Sequence, residues 1–521
     1  MVNVPETPVE LGFDRSQLPN WRPYQRQTVK RIVDAPRGST LIISAPTGSG
    51  KSALALAAAR LTAGKVTVLT HQKALQAQYM ETLINPPLVM ATGRDNHLCV
   101  LEGQPPGLTA AHAPCVDGMA CKYMRAVPVE NIGCPYYRQK AIAEAAPIRV
   151  LNYPMFFLLG RQGSFKSSLL VCDEGHRLDK ALLTAMTVRF SGKQLDFLVK
   201  AGQSLPRLTD GVWLKGHAKM DEWLTGAGRY LSTLLKSDTA TREQRDIARP
   251  LLQSVGSLKD MQRCTVMWQE RTHTWIPILS EEIAERLLLS VLTDERKLVV
   301  MSATVYDPKY TADRLGLKRS DVTYVEVPSS FPVERRLVYV RPVERMNMVT
   351  SKDPLVLREL TDTIDGIIDQ FNGRKGVVHC GSFKLGQEIA NRSRHIKRMI
   401  LAESGNNRIE EFRSSTDGVY VSPSAYEGYD LKDDLCRFSI VAKLSWPNRG
   451  DPVVAAQLAH IKGFNEYEAA SALIQAAGRG MRHEGDWCTT FILDGTVHQL
   501  MSSLSKQGVS LPKWFTEAIR Y

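Results

Sequence analysis

The stretch Ser44-Ala45-Pro46-Thr47-Gly48-Ser49-Gly50-Lys51-Ser52 sets the pattern for the whole chain. An apolar run (residues 40–43) precedes it and an alanine-rich run (residues 53–60) follows it. A strand, a glycine-rich turn, Gly-Lys-Ser and a helix are the context of a phosphate-binding loop, although Ala45 stands where the usual pattern has glycine. Glycines let backbone N–H groups turn inwards, and the helix N-terminus adds partial positive charge. The sequence therefore predicts a nucleotide site, with Lys51 on the β and γ phosphates, Ser52 on Mg²⁺, and loop contacts from Ala45, Thr47, Gly48, Ser49 and Gly50.

The length and net charge of the chain limit the classes of protein to which it can belong. The chain has 521 residues, 43% of them hydrophobic, and a net charge of +12. This length accommodates about three domains of roughly 150 residues, and the apolar content excludes wholesale disorder. The positive charge is consistent with a polyanionic partner, most simply nucleic acid, and leaves an inert basic surface as the alternative.

The compartment is predicted from what the chain lacks and from its cysteines. No apolar run approaches the ~18 residues that cross a bilayer, and the N-terminal residues do not resemble a signal peptide. We therefore expect a cytoplasmic or nuclear protein that is neither secreted nor bound to a membrane. Its nine cysteines are then expected to be thiols or metal ligands rather than disulfides.

A second apolar run, residues 168–172, ends in Asp173-Glu174-Gly175-His176. An acidic pair at the end of a buried strand is the second motif that accompanies a phosphate-binding loop in a nucleotide site. Asp173 is expected to hold Mg²⁺ through water, and Glu174 to orient and deprotonate the attacking water. Taken alone, these residues could also be a helix N-cap. Together with the loop upstream, they favour a nucleotide hydrolase.

Other polar residues fall where ligands are expected. Gln25, at a helix start ahead of the loop, can read an adenine edge with its paired donor and acceptor. Thr70 ends the strand at residues 65–70, and Lys73 and Gln78 lie along the helix that follows. Ligands sit at the carboxyl ends of strands in open α/β sheets. Such groups suit the backbone of a nucleic acid, although a helix cap with a solvated face explains them equally well.

The second half of the chain repeats the strand–helix alternation from about residue 307, which predicts another mostly parallel sheet covered on both faces. It carries Gln475-Ala476-Ala477-Gly478-Arg479-Gly480-Met481-Arg482. Arg479 and Arg482 are predicted to share one helical face. Two guanidinium groups so close repel each other unless an anion lies between them, and a γ-phosphate would serve. A solvated basic face is the alternative, which the flanking Ala-Ala-Gly stretch disfavours because it is expected to be packed. Residues 177–301 are too long for one crossover and are predicted to be a mainly helical inserted domain.

The order of these motifs, with Ser302-Ala303-Thr304 between them, resembles a superfamily 2 helicase. Gly93 to Cys99, Cys134-Pro135-Tyr136-Tyr137, Asn152-Tyr153 and the segment from Ser422 to Asp430 narrow the resemblance to XPD/DinG-type iron–sulfur helicases. It implies an α/β fold with two RecA-like domains. The implied divisions are 1–92, 139–178 and 287–306 for the first RecA-like domain, 93–138 for an iron–sulfur insertion, 179–286 for a helical Arch-like insertion and 307–521 for the second RecA-like domain.

The clustered cysteines can be read in more than one way. Their spacing contains no Cys-x-x-Cys pair, which counts against a zinc ribbon, and it fits neither common ferredoxin pattern. Spacing alone therefore leaves the metal open. The family resemblance implies a 4Fe-4S cluster, with zinc or four unliganded thiols as alternatives. The implied ligands are Cys99, Cys115, Cys121 and Cys134.

The resemblance also implies an ATP-dependent DNA helicase that moves 5′ to 3′ on single-stranded DNA. Its implied cofactors are ATP, Mg²⁺ and the cluster; its substrates are single-stranded and forked DNA, with RNA–DNA hybrids as a further candidate. We expect a compact monomer of phage or prokaryotic type that acts in DNA repair or replication. The implied catalytic residues are Lys51, Asp173, Glu174, Gln475, Arg479 and Arg482, with His176 and Asp430 also at the nucleotide. The expected DNA contacts are Thr70, Lys73, Gln78, Arg94, Tyr136, Tyr137, Arg138 and Asn152.

Two other functions stay open at this point. One is a translocase that strips proteins or RNA from DNA without much duplex unwinding. The other is a nucleic-acid clamp that has lost hydrolysis, against which the intact set of charged motif residues argues.

Overall fold

The computed structural model of the chain describes most of its residues. They are 2–71, 73–83, 88–117, 121–124, 129–160, 164–206, 211–213, 218–289, 292–424, 431–481 and 485–521. None of the helices that it describes is long and apolar enough to cross a bilayer.

The described strands are short and mostly buried. In chain order they are β1 (Thr40–Ser44), β2 (Val66–Thr70), β3 (Leu88–Met90), β4 (Ile148–Asn152), β5 (Ser167–Asp173), β6 (Val188–Arg189), β7 (Gly211–Trp213), β8 (Val266–Gln269), β9 (Thr274–Pro277), β10 (Leu292–Ser302), β11 (Val322–Glu326), β12 (Val338–Glu344), β13 (Gly376–His379), β14 (Met399–Leu401), β15 (Val419–Ser422), β16 (Phe438–Val441), β17 (Thr489–Asp494) and β18 (Ile519–Arg520).

Helices connect most of these strands. In chain order they are α1 (Gln25–Asp34), α2 (Lys51–Leu61), α3 (Lys73–Glu81), α4 (Pro135–Ala145), α5 (Tyr153–Gly160), α6 (Leu178–Met186), α7 (Gly192–Lys200), α8 (Ala218–Lys236), α9 (Arg242–Asp260), α10 (Glu281–Leu287), α11 (Pro308–Arg314), α12 (Pro354–Gln370), α13 (Phe383–Arg392), α14 (Ile409–Ser414), α15 (Pro452–His460), α16 (Phe464–Ala477), α17 (Thr496–Lys506) and α18 (Lys513–Thr516).

The first sheet joins seven of the described strands in the order β11-β1-β10-β5-β2-β4-β3, and every pair is parallel. All five residues of β1 are buried, as expected for a parallel strand covered on both faces. β1 and β5 carry the phosphate loop and the acidic pair at their carboxyl ends, so both motifs open at one edge. The sheet also takes in β11, which lies beyond the predicted domain boundary at residue 306. That boundary is corrected, because pairing between β11 and β1 is non-local and leaves no local signal.

The second sheet has the order β14-β15-β13-β16-β17-β12-β18, again with parallel pairs among the described strands. Together the two sheets confirm the predicted α/β fold with parallel sheets. The core of the second sheet includes Tyr306 and Tyr310, which follow the end of β10. The two sheets are therefore joined by packed side chains near the carboxyl end of β10.

The insertion between β5 and β10 is only partly as predicted. It contains α6 to α10, but also an antiparallel sheet of described strands in the order β6-β9-β8-β7. Its core is continuous with that of the first sheet: Cys172 on β5, Leu182 on α6 and Leu251 on α9 belong to one cluster. The turn Pro114–Asp117, which contains Cys115, contacts α9. The cysteine-bearing segment and the insertion therefore pack against each other.

Candidate active site

The loop between β1 and α2 has the backbone that phosphate binding requires. Gly48 and Gly50 adopt φ angles of 79° and 80°, in the left-handed region that favours glycine. A Cβ atom at Gly50 would lie 2.3 Å from Nε2 of Gln25, so a side chain has no room there. The Ala45 N–H donates to the main-chain oxygen of Ser302 at 3.0 Å, which ties the loop to β10.

Gln25 supports the loop from behind. Its Nε2 donates to the main-chain oxygen of Ser49 at 2.9 Å, and its Oε1 accepts from the Arg22 N–H at 2.9 Å. The guanidinium group of Arg22 also donates to the Gly48 oxygen. Gln25 therefore stands next to the loop, as expected, but its amide faces the loop backbone, and its contact with adenine stays a prediction.

Asp173 is the most constrained carboxylate of the site. It ends β5 and is 2% exposed. Its Oδ2 accepts from the Tyr79 hydroxyl at 2.8 Å, and its Oδ1 accepts from the Glu174 N–H at 2.9 Å. Burial raises the pKa of Asp173 to about 6, and the Glu174 carboxylate also raises it, against the Lys51 ammonium group, which lowers it. The acidic strand end and the phosphate loop thus interact electrostatically.

The oxygen atoms around Asp173 fit a small hard cation. The Tyr79 hydroxyl donates to Asp173 and interacts with the side chain of Ser52, so both predicted Mg²⁺ ligands lie near one oxygen atom. The buried hydroxyl of Ser49 has no hydrogen-bond partner among the described residues. Carboxylate and hydroxyl oxygens are ligands that Mg²⁺ accepts, usually together with substrate phosphates. The donor set therefore suits a metal–phosphate complex.

The acidic pair turns sharply after the strand. Glu174 has φ 53° and ψ 44°, a left-handed conformation that costs energy for a residue with a Cβ atom. The turn sets its carboxylate 3.3 Å from Nδ1 of His176. The same nitrogen lies 2.7 Å from the Ser302 hydroxyl, which is 3.3 Å from the Thr304 hydroxyl. The acidic motif and the Ser-Ala-Thr motif are therefore in direct contact.

His176 also contacts the second sheet's helices. Nε2 of Gln475, on α16, lies 2.8 Å from Nε2 of His176. Because a side-chain amide nitrogen can only donate, the imidazole Nε2 accepts and the ring carries its proton on Nδ1. Close by, a Cβ atom at Gly478 would lie 3.1 Å from Oγ1 of Thr47 in the phosphate loop. The predicted halves of the nucleotide site therefore face each other.

The prediction that Arg479 lies on a helical face is wrong. α16 ends at Ala477 and Gly478 is its C-cap, so Arg479 lies in the turn beyond. Beyond the helix end, Gly480 passes the second sheet closely: a Cβ atom there would lie 2.5 Å from the Cys436 oxygen. Burial lowers the pKa of His379 to about 3, and the nearby Arg479 cation lowers it further. Arg482 and Asp430 lie outside the described residues.

The cysteines are partly brought together. Burial raises the pKa of Cys115, and the nearby Cys121 and Cys134 thiols raise it too, so these three lie within electrostatic reach. Nη1 of Arg94 donates to the Cys115 sulfur at 3.6 Å. Within the described part of the chain, however, no three Cys, His, Asp or Glu side chains are placed to hold a metal. The structure therefore does not demonstrate a cluster.

The side chains predicted to contact DNA differ in how exposed they are. Arg138 and Gln78 are exposed, whereas Thr70 is buried and pairs with Asn152 across β2 and β4. Asn152 uses its Oδ1 to cap α5 by accepting from the Met155 N–H at 2.9 Å.

Two further predicted contacts serve the protein's own core. Tyr136 is 3% exposed, and the Arg94 guanidinium group lies 4.6 Å from its ring centre and donates to the Tyr137 hydroxyl at 2.8 Å. The expected stacking of Tyr136 on DNA is corrected, because this ring is packed inside the cysteine-bearing segment. Lys73 is the first residue of α3.

Comparison with known families and proteins agrees with this architecture. Residues 370–518 match the family described as Helicase C-terminal domain, and residues 18–97 match the family described as Type III restriction enzyme, res subunit. The ATP-dependent DNA helicase YoaA of Escherichia coli (strain K12) is 21% identical, with 92% of each chain covered. The protein of the same name from Haemophilus influenzae is also 21% identical, with 88% of each chain covered.

Solved structures share the fold. An XPD helicase structure superposes with a TM-score of 0.59 at 16% identity, covering 94% of this chain and 98% of its own. The structure of S. tokodaii Xpd4 gives a TM-score of 0.55 at 15% identity, covering 96% and 99% respectively. Fold, motif order and relatives agree with the resemblance seen in the sequence. Together these findings support an XPD/DinG-type ATP-dependent helicase of superfamily 2.

Proposed function

We propose that this protein is a DNA helicase that moves 5′ to 3′ along single-stranded DNA and separates duplex DNA at the expense of ATP. The observation that carries the proposal is the contact between the two halves of the nucleotide site. His176 follows β5 of the first sheet, Gln475 lies on α16, which packs against the second sheet, and their side-chain Nε2 atoms are 2.8 Å apart. A site divided in this way can convert binding and release of a nucleotide into relative movement of two domains.

The chemistry is assigned to residues on both sides of the cleft. Lys51 and the loop N–H groups bind the phosphates, and Gln25 is assigned to the adenine. Glu174 acts as the base toward the attacking water, whereas Ser52 and Asp173 hold Mg²⁺, which neutralises phosphate charge when bound. Arg479 and Arg482 are the proposed arginine fingers, Gln475 positions the γ-phosphate or the water, and Asp430 links the nucleotide to the DNA side.

We further propose that Cys99, Cys115, Cys121 and Cys134 bind a 4Fe-4S cluster. The electrostatic influence of Cys121 and Cys134 on Cys115 supports the proposal, as do the turns and short 3₁₀ helices that make up most of the described residues between positions 93 and 134. A segment of this size cannot bury enough core to fold alone. The cluster, when bound, supplies the missing cross-links, and the segment then serves as the wedge that divides the strands.

The remaining assignments follow from the same proposal. Residues 93–138 form the iron–sulfur domain and residues 179–286 the Arch-like insertion. Exposed Arg138 and Gln78 are the proposed DNA contacts, with Lys73, Tyr137 and Asn152 along the same path, whereas the buried Thr70 does not line it. The protein is proposed to act as a monomer on single-stranded and forked DNA, with RNA–DNA hybrids as a further substrate, in repair or replication.

One experiment separates this function from its alternatives. Unwinding is measured on 5′-tailed, 3′-tailed and RNA–DNA duplexes, with ATPase rate and iron content determined on the same preparation. We expect unwinding of 5′-tailed substrates, about four irons per chain, and loss of DNA-stimulated ATPase in Lys51→Ala. ATPase without unwinding would favour a stripping translocase, and an ATPase rate that DNA does not stimulate would favour a clamp. Undiminished activity of Lys51→Ala would contradict the assignment of the site.

A further inference from the structure

Tyr79 contacts both predicted magnesium ligands, although no motif includes it. It lies on α3, and its side chain is fully buried. Its hydroxyl donates to Oδ2 of Asp173 at 2.8 Å and reaches the side chain of Ser52. One phenol therefore bridges the end of β5 and the first turn of α2.

The hydrogen bonds of Asp173 leave its carboxylate little freedom. Oδ2 is held by Tyr79, and Oδ1 accepts from the Glu174 N–H at 2.9 Å. A phenol that is buried in a packed core cannot follow a rotating carboxylate, so it fixes the plane of that group. Mg²⁺ requires near-octahedral geometry, and its affinity depends on ligands that are held in place by their neighbours.

We propose that Tyr79 is a positioning residue of the magnesium site, which holds the Asp173 carboxylate and the Ser52 hydroxyl in the orientation that binds the cation. The inference rests on the proposed function, because it assumes that this site binds a metal–nucleotide complex. Loss of a neighbour that orients a metal ligand typically lowers metal affinity 10- to 100-fold. Tyr79→Phe removes only the hydroxyl, and we expect metal affinity to fall about tenfold.

A second buried tyrosine provides the matched control. The Tyr153 side chain is also fully buried, and its hydroxyl donates to the main-chain oxygen of Asp173 at 2.7 Å. Tyr153→Phe therefore loses a hydrogen bond to the same residue but leaves the carboxylate held. We expect both variants to lose similar thermal stability, and only Tyr79→Phe to lose metal affinity.

The measurement uses Mn²⁺ as a probe in place of Mg²⁺. The full-length protein is titrated with Mn²⁺ in the presence of a non-hydrolysable ATP analogue, and free Mn²⁺ is followed by electron paramagnetic resonance. Wild-type affinity in Tyr79→Phe, at a lowered unfolding temperature, would show a purely structural role and overturn the proposal. Tyr79→Met, which fills the space without a hydroxyl, replaces it if the phenylalanine variant does not fold. Failure of the wild type to bind Mn²⁺ would instead count against the proposed function.

Discussion

His176 lies between the acidic motif and the second sheet, with its Nε2 atom 2.8 Å from Nε2 of Gln475 and its Nδ1 atom 2.7 Å from the Ser302 hydroxyl. Gln475 and His176 are 299 residues apart in sequence. The His176 imidazole therefore links the acidic motif directly to α16, the helix that carries Gln475. Any movement that separates the sheets must break this contact.

We predict that His176→Ala and Gln475→Ala each lower the kcat of ATP hydrolysis about fivefold with little change in KM. Each loses a hydrogen bond worth ~1 kcal/mol that aligns the two half-sites, while the phosphate loop stays intact. The double variant should lose less activity than the two single losses multiplied together, because the contact between His176 and Gln475 is removed only once. Lys180→Ala, which breaks the exposed pair with Glu468 on α16, is the control and should change kcat less than twofold. Additive effects of the two main variants would contradict the model of one shared contact.

The raised pKa of Asp173 predicts a stability gain from removing its charge. The folded-state value of about 6 exceeds the ordinary 3.8. The folded protein therefore binds this proton more tightly than the unfolded chain, and stability decreases as pH rises from about 4 to 6. In metal-free buffer at pH 7.5, Asp173→Asn should raise the free energy of unfolding by ~3 kcal/mol at most, and the gain should vanish near pH 4.

Urea unfolding at pH 7.5 and near pH 4 tests whether Asp173→Asn raises the free energy of unfolding. Asp434 is the control, because hydrogen bonding to Arg437 lowers the pKa of its carboxyl. Asp434→Asn should therefore lose stability at neutral pH, in the opposite direction. A wild-type stability that exceeds that of Asp173→Asn at pH 7.5 would refute the interpretation.

A side chain at position 175 has no room next to β10, which explains why the acidic motif has glycine there. A Cβ atom at this position would lie 2.4 Å from Cγ1 of Val300 and 3.3 Å from the Met301 nitrogen on β10. We predict that Gly175→Ala destabilises the protein by about 1–3 kcal/mol, the usual cost of overpacking. Val300→Ala removes the clashing methyl group, so the double variant should be more stable than the sum of the single changes implies. Urea unfolding of the four proteins measures this coupling.

The sequence predicts those parts of the site whose backbone conformation and chemistry are both set by a few neighbouring residues. Gly48, Gly50 and Lys51 specify a phosphate loop by themselves, because the required φ angles and the charge are encoded within a few residues. The order of Asp173, Glu174 and His176 after an apolar strand has the same local character. These motifs could therefore be assigned before any contact was known.

Features that depend on residues far apart in the chain cannot be predicted from local sequence patterns. Tyr79 looks like any core residue of α3, and its contact with Asp173 spans 94 residues of sequence. α16 ends before Arg479, and the residues beyond it include Gly480, which passes closely over the second sheet at Cys436. Strands of two to four residues, such as β6 to β9, are too short to show a period of two. Each of these features is decided by packing that periodicity and spacing do not encode.

A stack of three tyrosine rings joins the two sheets. The Tyr467 ring, on α16, lies 3.9 Å from the Tyr310 ring and 5.1 Å from the Tyr306 ring, both nearly parallel to it. Its hydroxyl donates to the Thr304 oxygen at 3.2 Å. Tyr467→Ala should lower the free energy of unfolding by about 3–5 kcal/mol, because a large buried ring leaves a cavity. It should also reduce ATPase activity, since Gln475 lies on the same helix.

Tyr467→Phe separates the stack from the hydrogen bond. The phenylalanine ring keeps both aromatic contacts and loses only the bond to Thr304, so its cost should stay near 1 kcal/mol. Unfolding in urea and DNA-stimulated ATPase are measured on both variants. Equal losses in the two would show that the hydroxyl, not the stacked rings, holds α16 against the residues that follow β10.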